Sequence, residues 1–514
     1  MNPETIDCQL AEIEMPTREP DNVAEKLSES LVARRGPGLP DRNILLLSTS
    51  LLVDRVFRYG GLIDRLQLHM QNKGSVEIWN SSADAEEGSK RSEVTVRCFP
   101  EVRPFRELRH NFPRRLNEFV WDCRYRLPSR ESMMKHRRNI QHTLAIRALK
   151  LPARVLAAFR AEITLENLIE RSLLAYPRSE EATKRLQTKR PDVLLSTGPF
   201  QFEQPAVVSA AKSLDIPVIA YIPSWDNITT KNRMVFKYDA YIVWNEQSKR
   251  ELHEYYPHTK NVPVYVVGAP QFDVLKQERF FQTKEEFCKE QGLDPGIPII
   301  VYAIGSPNFL NEHPGAEYLA KRIVEGALGK VQMLVRPHPI HDNAEMQTLF
   351  SPYEPLVKLQ VSKNAGKELN KRSQDEGQVI EWINTYRHAD VVVNLSSTVV
   401  IDAAIFDTPV VNLDFDPQPS QSDQQLIKEI NHTWPHFKPV AESGGVWLVN
   451  DFEELISAVE TYLLKPELHR NERKWIVDHV CGYSDANCGE RMADAIVSFI
   501  NNTIAGSNRT NDIK

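Results

Sequence analysis

Short, nearly continuous apolar runs recur along this chain. Each ends in small or hydroxyl residues and is followed by a segment with helical spacing. NILLLSTS (Asn43–Ser50) is the first, with a helix-like segment through Leu66 behind it. SVEIW (Ser75–Trp79) and VTVRCF (Val94–Phe99) follow. From Arg190 the rhythm resumes in PDVLLSTGP, IPVIAYIPSWDN, YDAYIVWNEQSKRELHEYY and VPVYVVGAPQFD. The charged stretch KQERFFQTKEEFCKEQGLDPG then separates two halves. PIIVYAIGSP (Pro298–Pro307) opens the second half, which continues through VQMLVRPHP, ADVVVNLSS, TPVVNLDFD and a late GVWLVNDFEELISAVETYL. Strands apolar on both faces and alternating with helices predict an α/β protein with parallel sheets. The pattern divides the chain into an arm (1–41), a first α/β unit (42–276), a second (277–485), a closing helix (486–502) and a loose polar tail (503–514).

Between about 106 and 188 the strand rhythm lapses. Arg106–Arg160 holds fourteen Arg and Lys against four Asp and Glu. LAIRALKLPARVLAAFRAE places Leu144, Leu151, Val155 and Phe159 at near-helical spacing, and Pro152 kinks or begins a helix there. Two readings stand side by side: a solvated basic helical insert, or a surface facing an anionic acceptor or membrane head groups.

The bulk numbers remove several function classes. At 514 residues the chain is long enough for two cores, and 41% hydrophobic with 26% charged residues is ordinary for a globular protein. A net charge of −6 gives no overall basic character to suggest nucleic acid. Six scattered cysteines without a CxxC pair suggest reduced usage. The polar N-terminus and the lack of any long apolar stretch make a cytoplasmic location, peripheral at a membrane's inner face at most, the expectation. The sequence has no GxxxxGK[ST] and no metal-ligand spacing, so neither cofactor nor metal is expected.

In open α/β sheets ligands bind beyond the carboxyl ends of the strands, so the turns there carry the candidate chemistry. YAIGSP places Gly305 and Ser306 directly after a strand, where a glycine lets backbone approach a ligand. LVRPHP puts Arg336, a planar fork suited to phosphate, and His338 in a loop stiffened by two prolines. Ser396, Ser397 and Thr398 stand between a strand and a helix. One hydroxyl is explained by capping, and three suit an anion at the helix start. Asp402, one turn on, is placed for ribose hydroxyls or is a solvated helix acid. In the first half, Ser196 and Thr197 in STGP, and Trp225, Asp226 and Asn227 in PSWDN, face the cleft from the other side. Asp226 is the candidate general base and Trp225 a stacking platform, with an Asx turn as the alternative for Asp226. Ser48, Thr49 and Asp54 are weaker acceptor-side candidates.

YIVWNEQSKREL, VVGAPQFD, LVRPHP and ADVVVNLSSTVVIDAAIFDTPVV together resemble the GT-B glycosyltransferase superfamily. The last two blocks are similar to those of CDP-glycerol glycerophosphotransferases and surface-polysaccharide glycosyltransferases. The resemblance covers roughly residues 190–500. It implies two Rossmann-like domains facing across a cleft, with a C-terminal helix near Glu490–Ile500 crossing back to the first. It also implies nucleotide diphosphate and ribose contacts for Arg336, His338, Ser396, Ser397, Thr398 and Asp402. Two departures stand out: the acid of the last block is Asp402 where Glu is frequent, and the first half lacks the HG block of the glycerophosphotransferases. The expectation is metal-independent transfer of a sugar from a nucleotide-sugar donor to a glycan or lipid-linked glycan hydroxyl, with Asp226 and His338 catalytic. The alternatives are a nucleotide-sugar 2-epimerase of the same fold and a non-catalytic nucleotide-sugar-binding scaffold.

Overall fold

The computed structural model describes residues 42–71, 74–82, 94–102, 108–136, 147–175, 179–201, 203–365, 372 and 374–511. The expected arm at 1–41 lies outside the described residues. The first apolar runs form a seven-stranded sheet: β1 (Asn43–Ser48), β2 (Ser75–Asn80), β3 (Val94–Cys98), β4 (Val193–Ser196), β5 (Val218–Tyr221), β6 (Ala240–Val243) and β7 (Val264–Val266). Its order is β3-β2-β1-β4-β5-β6-β7 and every pairing is parallel. The second sheet holds β8 (Ile299–Ile304), β9 (Gln332–Pro337), β10 (Val357–Leu359), β11 (Val391–Asn394), β12 (Val410–Leu413) and β13 (Trp447–Val449). Its order is β10-β9-β8-β11-β12-β13, again all parallel. The three-residue β10 has no clear counterpart in the hydrophobic pattern, because so short an edge strand leaves no periodicity to read.

Both sheets are doubly wound, and each reverses direction once, between β1 and β4 and between β8 and β11. These reversals open crevices at the carboxyl ends of the central strands. Two Rossmann-like units meet there across a cleft, the GT-B architecture. The central strands are buried throughout, β8 and β11 along their whole length, which accounts for their unbroken apolar sequence.

The helices that shape the cleft and its supports are α1 (Leu51–Tyr59), α2 (Leu62–His69), α3 (Leu108–Tyr125), α4 (Pro128–Lys135), α5 (Lys150–Ala158), α6 (Glu162–Leu174), α7 (Val399–Ile405), α8 (Gln424–Thr433), α9 (Arg470–Cys481) and α10 (Cys488–Asn511). Helices α3–α6 form the insert between β3 and β4. They enclose a small core of Phe119, Val120, Ala153 and Ala157. Part of its positive charge is internal: Arg130 pairs with Asp122 at 3.1 Å and Arg114 with Glu118 at 3.2 Å. The charged stretch between the halves is ordered, with a helix over Lys284–Gln291 opened by a Thr283–Glu286 capping box.

Helix α10 returns to the first unit and extends beyond the bound its sequence suggests, reaching Asn511. It lies on α2, where Arg65 Nε donates to Asp494 Oδ1 at 2.9 Å and His69 Nε2 lies 2.6 Å from the same oxygen. Gly489 sits so close to the α1–α2 turn that a Cβ there would fall 1.7 Å from the Gly60 carbonyl oxygen. The Gly489 N–H donates to Asp273 Oδ2 at 2.7 Å. Replacing Gly489 by Ala is expected to cost about 1–3 kcal/mol, since backbone must move to make room. Urea unfolding should show this as a lower midpoint.

Candidate functional site

A cavity of about 220 Å³ opens where the carboxyl ends of β8, β9 and β11 face α1 of the other unit. Gly305, Arg336, His338, Ser397 and Thr398 all line it, together with Leu51 and Arg55 from α1. A larger space of about 790 Å³ lies within the insert, away from any strand end. The smaller one holds the convergent polar groups that a binding site needs.

The β8 turn is fixed from both sides. The Glu312 carboxyl accepts from the backbone N–H groups of Gly305 and Leu395. The Gly305 carbonyl faces His341 Nε2 at 2.9 Å. Any side chain at 305 would place its Cβ 2.3 Å from Glu312 Oε1, so the Glu312 carboxyl would have to move to admit one. Glu312 thereby ties the turn after β8 to the turn after β11. Burial pushes its carboxyl up to about 8, against the pull of those two N–H groups.

Arg336 at the end of β9 is half-buried, and its Nη1 donates to Gln360 Oε1 at 2.6 Å. Two residues on, His338 receives the Ile340 N–H on Nδ1 at 3.3 Å. That bond assigns the ring proton to Nε2 and leaves a donor. Burial, helped by Arg372 and His341, lowers His338 to about 4, so the ring is neutral at physiological pH.

The three hydroxyls after β11 differ in their surroundings. Ser396 adopts a left-handed backbone, φ 49°, and donates its hydroxyl to Asn431 Oδ1 at 2.6 Å. Ser397 Oγ accepts from the Val399 N–H at 3.4 Å. Thr398 is exposed at the start of the seven-residue α7, and its side chain makes no capping bond. Ser306 is half-buried, and its carbonyl accepts the N–H groups of Phe309 and Leu310.

Asp402 is buried within α7, and one oxygen, Oδ1, has no hydrogen-bond partner. Burial raises it to about 7, with Arg55, Arg336 and a bond from Trp382 pulling the other way. Arg55, from the opposite unit, acts on this carboxyl through space. Its guanidinium stacks 3.5 Å from the centre of the Trp382 ring and donates through Nε to Gln374 Oε1 at 2.9 Å. Burial, and then repulsion from Arg336, bring it down to about 10 despite Asp402. Both partners are thus displaced toward neutrality, as expected where desolvation outweighs attraction.

The first-half candidates lie elsewhere. Ser196 and Thr197 are buried, and both bond Gln204; the Thr197 hydroxyl donates to the Leu47 carbonyl at 2.7 Å. They therefore hold β1, β4 and the following helix together and do not reach the cavity. Trp225 is 4% exposed and packs edge-on against His436, 5.1 Å between ring centres. It has no face to offer a sugar. Asp226 accepts from Asn227 at 3.0 Å and Thr230 at 2.9 Å, and also from Ser224. Although burial pushes it up, Lys231, His436 and those bonds hold it below the usual range. A carboxylate so satisfied is a weak base, and Asp226 fits the Asx-turn alternative. The Asn227 side chain is spent on the same carboxylate.

The sequence reading missed Arg55, Glu312, Gln374 and Trp382. For Arg55 a signal was present. Leu51, Arg55 and Tyr59 stand four apart and form one stripe of α1, and all three turn toward the second unit.

Between its ordinary value of 3.8 and the folded value of about 7, Asp402 is protonated in the folded chain and ionised in the unfolded one. Its contribution is therefore fully present below about pH 4 and is lost as pH rises through 7. Asp402→Asn should remove up to about 1.4 kcal/mol per pH unit of that decline. Unfolding curves for the two proteins between pH 4 and 8 should converge at the acid end and separate toward pH 8, with the variant the more stable.

A family model for CDP-Glycerol:Poly(glycerophosphate) glycerophosphotransferase matches residues 221–498, more than half of the chain. No curated protein matches by sequence. Among solved structures, a UDP-GlcNAc 2-epimerase from Neisseria meningitidis bound to UDP-GlcNAc is similar at 12% identity and a TM-score of 0.47. That likeness covers 89% of this chain and 100% of the other. A UDP-GlcNAc 2-epimerase from Methanocaldococcus jannaschii has 14% identity and a TM-score of 0.46, with 89% and 99% covered. A glycosyltransferase from Rickettsia africae has 12% identity and a TM-score of 0.45, with 90% and 98% covered. These structural likenesses say nothing about substrate. The family match rests on sequence from the end of β5 through β13 and into the first half of α10, including every candidate residue around β8, β9 and β11: the chain belongs to the CDP-glycerol:poly(glycerophosphate) glycerophosphotransferase family.

Proposed function

We propose that the protein is a glycosyltransferase that moves a sugar from a nucleotide-sugar donor to a glycan or lipid-linked glycan hydroxyl. One observation carries this reading: Arg55, Arg336, the His338 Nε2–H and the turns at Gly305 and Ser397–Thr398 converge on one cavity at the reversal point of the second sheet. The acceptor oxygen attacks the anomeric carbon, and the bond from that carbon to the phosphate oxygen breaks. The nucleoside diphosphate leaves with the electron pair, and the acceptor proton passes, directly or through water, to that departing diphosphate. Charge builds on the departing diphosphate, so donors held ready for it lower the barrier. Arg336, the neutral imidazole of His338 and the Ser397 and Thr398 hydroxyls supply those donors. No metal takes part in this reading, and activity in EDTA tests that.

Asp402 sets how much positive charge the cavity presents. Protonated, it leaves Arg55 and Arg336 uncompensated; ionised, it competes with the diphosphate for them. Affinity for a nucleoside diphosphate should therefore weaken from pH 6 to pH 8 relative to Asp402→Asn, in which this dependence is absent. Calorimetry at both pH values, on both proteins, reads the difference directly.

The family assignment favours a second reading, transfer of glycerophosphate from CDP-glycerol. Against it stands the first half, which lacks the family's HG block. The two reactions break different bonds. Sugar transfer releases a nucleoside diphosphate, whereas glycerophosphate transfer cleaves the pyrophosphate and releases a nucleoside monophosphate. Chromatography of the nucleotide product after incubation with donor and acceptor separates them. In either case His338→Ala and Ser397→Ala should each weaken nucleotide binding, by about tenfold for a lost charge-assisted or neutral hydrogen bond. Unchanged affinity in both variants would remove the cavity as the nucleotide site.

A further inference from the structure

We infer that helices α5 and α6 of the insert form a docking face for an anionic lipid membrane. Leu151, Val155 and Phe159 stand four residues apart along one side of α5 and are 73%, 58% and 78% exposed. Ile163 and Leu168 on α6 continue this apolar surface, 46% and 56% exposed. The opposite side of α5 is spent inward, with Ala153 and Ala157 in the insert core. A helix this apolar on its outer side leaves surface that water covers at a cost.

The charge around this surface is one-sided. Arg147, Lys150, Arg154, Arg160 and Arg171 on these helices and their turn are all exposed, Lys150 and Arg154 also lining the space within the insert beside Asp122 and Glu131. From Arg147 to Ala161 the sequence contains no Asp or Glu. The acids of α6 turn the other way. Glu162 is buried 3.7 Å from Arg124, Glu166 is buried 3.2 Å from Arg233, and Glu170 lies 3.7 Å from Lys212. Folding therefore sorts an ordinary mixture of charges into an acidic inner face and a cationic, apolar outer one.

That combination selects the occupant. Apolar side chains between cations suit the boundary between head groups and acyl chains, where the stripe enters hydrocarbon and the cations meet lipid phosphates. A second copy docked about a two-fold axis would set the same five cations against themselves. Nucleic acid would pair with the cations and leave the five large apolar side chains wet. Among the described residues no helix is long and apolar enough to cross a membrane, so attachment by this face would be lateral. The inference stands apart from the reading of the cavity, since none of these residues lines the site at the strand ends.

The test uses the full chain and sedimentation with vesicles of phosphatidylcholine alone or with about one third phosphatidylglycerol. The protein should pellet with the anionic vesicles, and raising salt should weaken this. Arg154→Gln with Arg160→Gln should lower the partition coefficient about 25-fold, at about fivefold per cation. Leu151→Gln, Val155→Gln and Phe159→Gln together should lower it at least as far. All five positions are exposed, and the urea-unfolding midpoint of each variant reports that the fold is intact. Equal binding to both vesicle types, or full binding by the apolar triple variant, overturns the inference. So does concentration-dependent self-association in sedimentation equilibrium without vesicle binding, which would make a second copy the occupant.

Discussion

One buried arginine joins the two halves of this protein at the floor of the cavity. Arg55 leaves α1 of the first unit, stacks on Trp382 of the second and lies beside Asp402 and Arg336. Taking a guanidinium out of water is costly, and it persists only where neighbours replace the lost solvent. Here an indole face, the Gln374 side chain and a carboxyl do so. They all belong to the other unit, so the solvation of Arg55 depends on the two units being in place. The floor of the cavity is thus also part of the junction between the units, which continues where Ser132, Lys135 and His136 meet Glu429.

The second sheet prepares its own edge of the cavity by a different means. Glu312 accepts one N–H from the turn after β8 and one from the turn after β11. Backbone groups at strand ends would otherwise seek water or a ligand. Their capture by one buried carboxyl holds the turns on either side of the reversal point at a fixed spacing. The neutral state of His338 belongs to the same economy of charge. A protonated imidazole next to Arg372 would add repulsion to a site already holding two guanidinium groups.

Much of the second half was legible in the sequence, and the reason is physical. Parallel strands covered on both faces must be apolar along their length, so β8, β9, β11 and β12 announced themselves. Their carboxyl ends then located Gly305, Arg336, His338 and Ser397 without any knowledge of tertiary contacts. The same rule misled in the first half. Ser196 and Thr197 also follow an apolar strand, yet they satisfy Gln204 and the β1 backbone, and sequence does not distinguish an inward hydroxyl from an outward one. Trp225 is covered by His436 and Phe437 of the opposite unit, which no local pattern records, whereas Asp226 is held by its near neighbours Ser224, Asn227 and Thr230, as its Asx-turn alternative anticipates. Arg55 and Glu312 act across more than 300 residues or between two turns, and no local pattern records such partners.

The chain passes between the units twice, once after Lys276 and again before α10. The two passages touch where Lys276 Nζ donates to the Ser484 carbonyl. A door carried on two neighbouring pins can swing about the line through them, but it resists twisting or sliding. Two neighbouring crossings would confine any relative movement of the lobes to rotation about the line through them, and such a rotation would carry Arg55 off its place over Trp382.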